Sequence, residues 1–255
     1  MKILLIGDIV GAAGCDFLEK RLWSIRRQLA ADFVVANGEN ASVGNGLLPG
    51  DVRRLQNAGV DVLTGGNHTF GRWELRALLD EDSAVLRPHN YPDAPGSGLG
   101  IYATPFGKVA VLNLIGRTYL ATNVDCPFRT ADRMLERLAD IPIRIVDFHA
   151  EATSEKLALR AYLDGRVSAV VGTHTHVQTA DETVSPSGTA SITDLGMTGP
   201  EDSILGVGTQ EVVERFLTGI SVRFKPGAGE VSLCGALVEV GEDGKARSIE
   251  RIQIR

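Results

Sequence analysis

At 255 residues, with 44% apolar and 23% charged side chains, the chain is long enough to bury a sizeable core and too apolar to be disordered. Lys and Arg number 26 against 32 Asp and Glu, a net charge of −6, which argues against a long basic groove for nucleic acid because tight binding there depends on neutralising many phosphates. The three cysteines, Cys15, Cys126 and Cys234, are odd in number and form no Cys-x-x-Cys, so neither a disulfide framework nor a thiolate metal site is suggested and small buried hydrophobes are expected.

Met1 runs directly into Lys2-Ile-Leu-Leu-Ile6, the first strand-like run, with no leader of the secretory kind, and no segment approaches the ~18 apolar residues of a membrane span; a cytoplasmic protein is expected. After a Gly-rich turn, Phe17, Leu18, Leu22, Ile25 and Leu29 recur at helical spacing, and Asp32 to Ala36 reads as a second strand. Pro49 and Asp51 open a helix that stops at Gly59. Val60 to Thr64 gives a strand, Trp73 to Leu79 a helix, and Ala84 to Leu86 a short strand. Gly100 to Thr104 and Lys108 to Leu114 then flank Pro105-Phe-Gly107 as a hairpin, so antiparallel strands join parallel ones. A helix over Thr130 to Leu138, a strand over Ile143 to Phe148, a helix over Ser154 to Leu163 and a strand over Val167 to Val171 follow. The remainder reads as a hairpin at Pro186-Ser-Gly188, a helix over Gln210 to Leu217 and a hairpin at Glu242-Asp-Gly244. With no internal repeat or linker, residues 1–255 form one domain. Roughly ten strands with mixed connections suit an α/β fold of two stacked mixed sheets with helices outside, an αββα sandwich.

Asp8, Glu39, Asn67, His149, His174 and His176 share one context, the carboxyl end of a strand or the turn after it, and neighbouring strands would bring those ends together. On an extended segment, residues i and i+2 point to one side, so His174 and His176 can address adjacent ions. Imidazole, carboxylate and amide donors without thiolate suit Mn, Fe or Zn.

These motifs resemble a known family. Gly7-Asp8, Gly66-Asn67-His68 and Gly172-Thr-His174-Thr-His176 are similar to the motifs of calcineurin-like metallophosphoesterases. Two departures stand out: Asp8-Ile9-Val10 lacks the histidine of the usual Asp-x-His, and Glu39 stands where a bridging Asp is usual. With Ala-Asn37-Gly-Glu39-Asn40-Ala, the run Asp147 to Lys156 and the run Thr193 to Pro200, they resemble one branch, the bacterial YmdB-like phosphodiesterases, over nearly the whole chain. The resemblance implies that Asp8, Glu39 and His176 hold one metal and that Glu39, Asn67, His149 and His174 hold a second, with Glu39 bridging. The Asn40 amide oxygen would fill the position left by the missing histidine. It implies two irons, with manganese or zinc as substitutes, and a small phosphodiester substrate, foremost a 2′,3′-cyclic nucleotide. Two ions roughly 3.5–4 Å apart lower the pKa of a shared water and clamp the phosphoryl oxygens. His68 becomes proton donor to the leaving ribose oxygen, with orienting Asn67 or binding phosphate as its other reading.

His89 matches no ligand motif and is expected to be structural or at the surface, and Arg87, Arg117 and Arg129 are expected to be solvated or salt-bridged, with a phosphate contact from one of them as the alternative. A rival reading takes Gly7-x-x-x-Gly11-x-x-Gly14 as a dinucleotide fingerprint with Glu39 as the ribose-binding acid, but it leaves Asn67, His149, His174 and His176 without a role. The glycines are better read as a tight turn that lets Asp8 face a metal. A metal-binding regulatory protein without turnover is a further reading. A homo-oligomer is expected for an enzyme of this size, and neither a membrane nor a long nucleic acid is an expected partner.

Overall fold

The computed structural model describes residues 1–43, 45–120 and 123–255. Along the first strand, β1 (Lys2–Ile9), the side chains alternate between two destinations. Ile3 and Leu5 enter a core between two sheets, whereas Leu4 and Ile6 enter a core beneath helices. The same alternation in β2 (Phe33–Asn37) sends Phe33 and Val35 inward and Val34 and Ala36 to the helices. Strands with both faces buried read as continuous apolar runs, which is how the sequence shows them.

The first sheet has the order β12-β11-β10-β1-β2-β3, with β3 (Val62–Thr64), β10 (Met197–Val207), β11 (Pro226–Val240) and β12 (Ala246–Ile254). Its outer face is covered by α1 (Gly11–Leu29), α2 (Pro49–Ala58) and α3 (Leu75–Glu81), through Leu18, Leu22, Val52, Leu55 and Leu75 among others. The second sheet, β4-β5-β6-β7-β9-β8, contains the hairpin β4 (Leu99–Thr104) and β5 (Gly107–Ile115), then β6 (Ile143–His149), β7 (Ala169–Thr173), β8 (Thr183–Val184) and β9 (Ala190–Ile192). Met134, Leu135, Leu159 and Leu163 of α4 (Pro127–Glu136) and α5 (Thr153–Leu163) pack on its far side. α6 (Thr209–Thr218) follows β10. The layers run α, β, β, α, as expected.

Three expectations change. Strand β10 is not evident from the sequence, because its Gly199, Pro200 and Gly206 break any alternation and its pairing with β11 shifts register twice. Ala84 to Leu86 contributes only an isolated bridge, Leu63 to Val85, between a turn and Pro88. Cys15 and Cys234 are buried, but Cys126 is only half-buried at the start of α4.

β10 also changes the reading of the first glycines. β11 pairs antiparallel with Lys2 to Ile6, and β10 takes over in parallel at Asp8 and Ile9, across an irregularity between Ile6 and Asp8. A Cβ on Gly7 would sit 2.0 Å from the Gly196 carbonyl oxygen, and one on Gly14 2.4 Å from that of Thr198. Gly7 and Gly14 admit a neighbouring backbone rather than a pyrophosphate, and of the three only Gly11, at φ 61°, serves the expected tight turn. Strict alternation after Ile6 would aim Asp8 at the helices; the irregularity turns it toward the second sheet.

Candidate metal centre

The donor-bearing parallel strands β1, β2 and β3 of the first sheet and β6 and β7 of the second end on one side of the sandwich, and the six strand-end residues meet there. Asp8 comes from β1, Glu39 and Asn40 follow β2, and Asn67 follows β3; His149 ends β6, and His174 and His176 follow β7. Asp8, Glu39 and His149 are fully buried, while His174 and His176 are partly open.

Glu39 stands between two groups of donors. Its Oε2 lies 3.4 Å from His149 Nε2, which is 2.9 Å from Asn67 Oδ1 and 3.1 Å from His174 Nδ1. Ligand atoms of Glu39, His149 and His174 all lie within 4.8 Å of one another. Its Oε1 accepts from Asn40 Nδ2 at 2.8 Å, and the same amide is 3.2 Å from His176 Nε2, which lies 3.6 Å from Asp8 Oδ1. Asn40 thus sits where its sequence position suggested, with its NH2 toward Glu39; ligation through Oδ1 requires the amide to turn about χ2.

The histidines are oriented from behind. His149 Nδ1 lies 3.0 Å from Thr173 Oγ1, which donates its proton to Asp147 Oδ1 at 2.9 Å, so Nδ1 carries the imidazole proton and donates. Burial pushes the His149 pKa well down, so Nε2 presents a lone pair to the Asn67, Glu39 and His174 atoms around it. His176 Nδ1 donates to the Leu205 carbonyl at 3.1 Å, again turning Nε2 inward. Asp8 Oδ2 accepts the His174 N–H at 3.0 Å, but Asp8 Oδ1 is buried with no hydrogen-bond partner among the described residues. Converging lone pairs and an orphaned buried carboxylate oxygen are what a cation completes, and these nitrogen and oxygen donors fit divalent transition metals.

The extended geometry expected for His174-Thr-His176 is not observed. β7 ends at Thr173, and His174 and His176 both have left-handed backbones, φ 102° and 64°. They diverge: His174 addresses His149, and His176 addresses Asp8. Thr175 between them is held by Asp194, which accepts from its N–H at 3.1 Å and its hydroxyl at 2.8 Å. Asp194 pairs with Lys156 of α5 at 2.7 Å, both side chains being buried. Neither is singled out as functional by the sequence. Removing one member of a buried pair leaves the other charge uncompensated. Lys156→Met is expected to lower stability by about 3–5 kcal/mol in urea unfolding; a loss below about 1 kcal/mol would contradict this role for the pair.

His68 opens a short 3-10 turn (Thr69–Gly71). Its N–H donates to Glu39 Oε2 at 2.9 Å, and its ring Nε2 lies 3.2 Å from Asn45 Nδ2. Burial, then the charges of His174 and His176, lower its pKa. Next to it, a Cβ on Gly66 would approach Glu39 Oε2 to 2.3 Å and His149 Nε2 to 2.4 Å, so only glycine leaves room for the centre. His89 is structural: its Nδ1 accepts the Gly98 N–H, and burial, reinforced by Arg87, lowers its pKa to about 4. Arg87 is neither solvated nor salt-bridged as expected. It is buried, and its guanidinium donates to the carbonyls of Pro88, His89, Tyr91, Ala94 and Pro95. Arg117 and Arg129 are exposed.

Residues 4–252 match the family model described as YmdB-like protein. The chain belongs to the YmdB-like family. Among its relatives, this YmdB-like chain is 44% identical to a Bacillus subtilis (strain 168) protein named 2′,3′-cyclic-nucleotide 2′-phosphodiesterase, covering 100% of the chain and 97% of the relative. A Mycoplasma pneumoniae putative phosphatase/phosphodiesterase is 36% identical over 92% of this chain and 84% of its own length. In solved structures, a hypothetical protein from Thermus thermophilus superposes with a TM-score of 0.93 at 41% identity, covering 100% of this chain and 99% of its own. A 5′-nucleotidase precursor from the same organism, at 14% identity and a TM-score of 0.58 over 100% of this chain and 54% of its own, shares the fold of the YmdB-like chain.

Proposed function

We propose that this chain is a metal-dependent phosphodiesterase with a dinuclear centre, acting on small phosphodiesters and foremost on 2′,3′-cyclic nucleotides. The observation that carries the reading is Glu39, whose two oxygens face two separate donor groups. In this reading Asp8, Glu39, His176 and Asn40 hold one ion, and Glu39, Asn67, His149 and His174 hold the other. Iron is the first candidate, with manganese or zinc as substitutes, since the donors are nitrogen and oxygen without thiolate. The 2′,3′-cyclic substrate rests on the name of the Bacillus subtilis relative at 44% identity.

Two bound ions supply Lewis acidity, activating water and neutralising the phosphoryl oxygens. The protein holds the donors in place through Thr173, the Leu205 carbonyl and the His68 N–H. A ribose alkoxide leaves poorly, so a proton delivered to its oxygen speeds cleavage, and His68 is the group assigned to deliver it. The substrate phosphate supplies the negative charge that raises the His68 pKa from its depressed value toward neutrality.

The reading includes a single domain over 1–255 and a cytoplasmic location; no helix among the described residues is long and apolar enough to cross a membrane. It also includes a homo-oligomer, supported by the exposed Phe216, Leu217 and Ile220 in and after α6.

Metal uptake is expected to depend on pH. Burial, then the Asp8 charge, raises the Glu39 pKa to about 8; burial lowers that of His176, but the charge of Asp8, 3.6 Å away, outweighs this and brings it to about 9. Both groups carry a proton at pH 7 and must lose it to bind metal. Calorimetry in buffers of different ionisation heat should therefore show roughly two protons released per chain at pH 7, with affinity rising with pH and levelling off above about 9. Proton-independent binding would contradict the assignment of these two groups.

The function is tested by offering a panel of cyclic nucleotides and dinucleotides to chelator-stripped protein with added Fe(II) or Mn(II). Metal-dependent hydrolysis of the 2′,3′-cyclic nucleotides is expected. Metal-loaded protein that hydrolyses none of the panel would overturn the reading.

A further inference from the structure

The donors of the metal centre come from two sheets whose strands, among the described residues, share no backbone hydrogen bonds. Asp8, Glu39, Asn40 and Asn67 ride on the first sheet; His149, His174 and His176 ride on the second. What lies between the sheets is mostly aliphatic, including Ile3, Leu5, Val35, Val62, Val111 and Ile145. Such contacts are non-directional and leave the sheets free to settle by fractions of an ångström, whereas metal ligands need fixed distances.

Directional contacts appear one step further along the strands. Val35, Val62, Val111, Ile145 and Val171 all face the inter-sheet core, and the side chains two residues on are Asn37, Thr64, Asn113, Asp147 and Thr173. All five are buried, forming a polar layer between the aliphatic core and the metal centre. Asp147 of the second sheet is its hub. Its Oδ2 accepts from the Thr64 hydroxyl, and from Asn37 Nδ2 at 3.3 Å, both on the first sheet, and its Oδ1 accepts from the Thr173 hydroxyl at 2.9 Å. Each contact continues toward a donor. Asn37 Oδ1 accepts the Glu39 N–H at 3.1 Å, and Thr173 Oγ1 receives His149 Nδ1–H at 3.0 Å. Asn113 makes a second tie, accepting the Gly65 N–H two residues before Asn67 at 3.0 Å.

We propose that Asp147 is a positioning residue that sets the two sheets' metal donors against each other, reaching His149 through Thr173 and Glu39 through Asn37. This rests on the dinuclear reading above. The two arms differ in reach: the Thr173 arm ends on His149 and hence one of the two ions, whereas the Asn37 arm serves the bridge and hence both. Beyond Asp147 itself they touch only through the long 3.4 Å contact of Asn37 Nδ2 with Thr173 Oγ1, the weaker of the two hydrogen bonds that hold Asn37 to this pair.

The test is Mn(II) titration of the metal-stripped full chain, followed by electron paramagnetic resonance and calorimetry, in the wild type, Thr173→Val, Thr173→Ser and Asp147→Asn. Wild type should bind two Mn(II) per chain. Thr173→Val should weaken one ion by about 10–100-fold and leave the other within about threefold, Thr173→Ser should restore wild-type binding, and Asp147→Asn should weaken both. The proposal is overturned if Thr173→Val binds both ions with wild-type affinity whatever its stability, or weakens both equally. Should Asp147→Asn not fold, the Val and Ser pair still decides. Wild-type protein that binds no Mn(II) would fail the dinuclear reading itself, which separates the two failures.

Discussion

Glu39→Gln is expected to lower phosphodiester hydrolysis by on the order of 10³-fold or more while leaving the fold intact, because a neutral amide cannot bridge two cations and the site's electrostatic stabilisation depends on both. The amide keeps the steric volume of the carboxylate, and its one oxygen, placed at the Oε1 position, can still accept from Asn40, while the acceptor of the His68 N–H at the Oε2 position is lost. Its NH2 can donate to the His149 lone pair, a contact the carboxylate cannot make. A second consequence has the opposite sign. The Glu39 carboxyl is raised by burial, then by Asp8, to about 8, so the metal-free wild type is least burdened while this group is protonated. Its stability is lost as pH rises from the ordinary carboxylate range through about 8. The glutamine variant has no such loss, and the metal-free variant should be the more stable chain at pH 9, by a margin that vanishes near pH 4. Activity and metal content measured beside urea unfolding at the two pH values separate this outcome from a misfolded variant, which would be less stable at both. Full residual activity would refute the bridging role.

His68→Ala is expected to slow cleavage of ribose esters by about 10²–10⁴-fold and to spare activated aryl esters, whose leaving groups need no proton. The structure makes this a clean substitution. What His68 gives Glu39 is its backbone N–H, which alanine retains, so the donors should stay in place and metal content should stay at the wild-type value. The ring itself lies by Asn45, with a pKa lowered first by burial; in the proposed mechanism it acts as an acid once an anionic substrate is bound. Wild-type activity on the ribose ester should therefore fall on the alkaline side as the ring loses its proton, and that limb should be missing in the variant. Equal losses on both ester classes, or loss of metal with the ring, would argue against proton donation and for a part in holding Asn67.

Much of the fold is legible because strands buried on both faces appear as short apolar runs between turn signals, as in Lys2 to Ile6 and Ile143 to Phe148. β10 is not, since its glycines and proline are tolerated only because β1 and β11 supply its pairing from elsewhere in the chain. For the site, strand-end position is enough to single out Asp8, Glu39, Asn67, His149, His174 and His176, which the fold brings together. The extended segment expected at His174 and His176 is the wrong reason for their placement, because left-handed backbone aims them instead. Leu205, which orients His176 with a carbonyl, leaves no trace in a side-chain pattern. Asp147 does carry a signal: after Ile143 and Ile145 the inward positions of β6 are Asp147 and His149, and a buried acid in phase with a ligand invites a supporting role. Lys156 and Asp194 lie 38 residues apart, and only the fold makes them a pair.

Elemental analysis of the purified chain tests the central claim most directly. About two transition-metal ions per chain, falling on chelation together with hydrolysis of 2′,3′-cyclic nucleotides and returning with it, is the predicted result. Hydrolysis that persists at full rate in protein carrying one ion or none would contradict the dinuclear account.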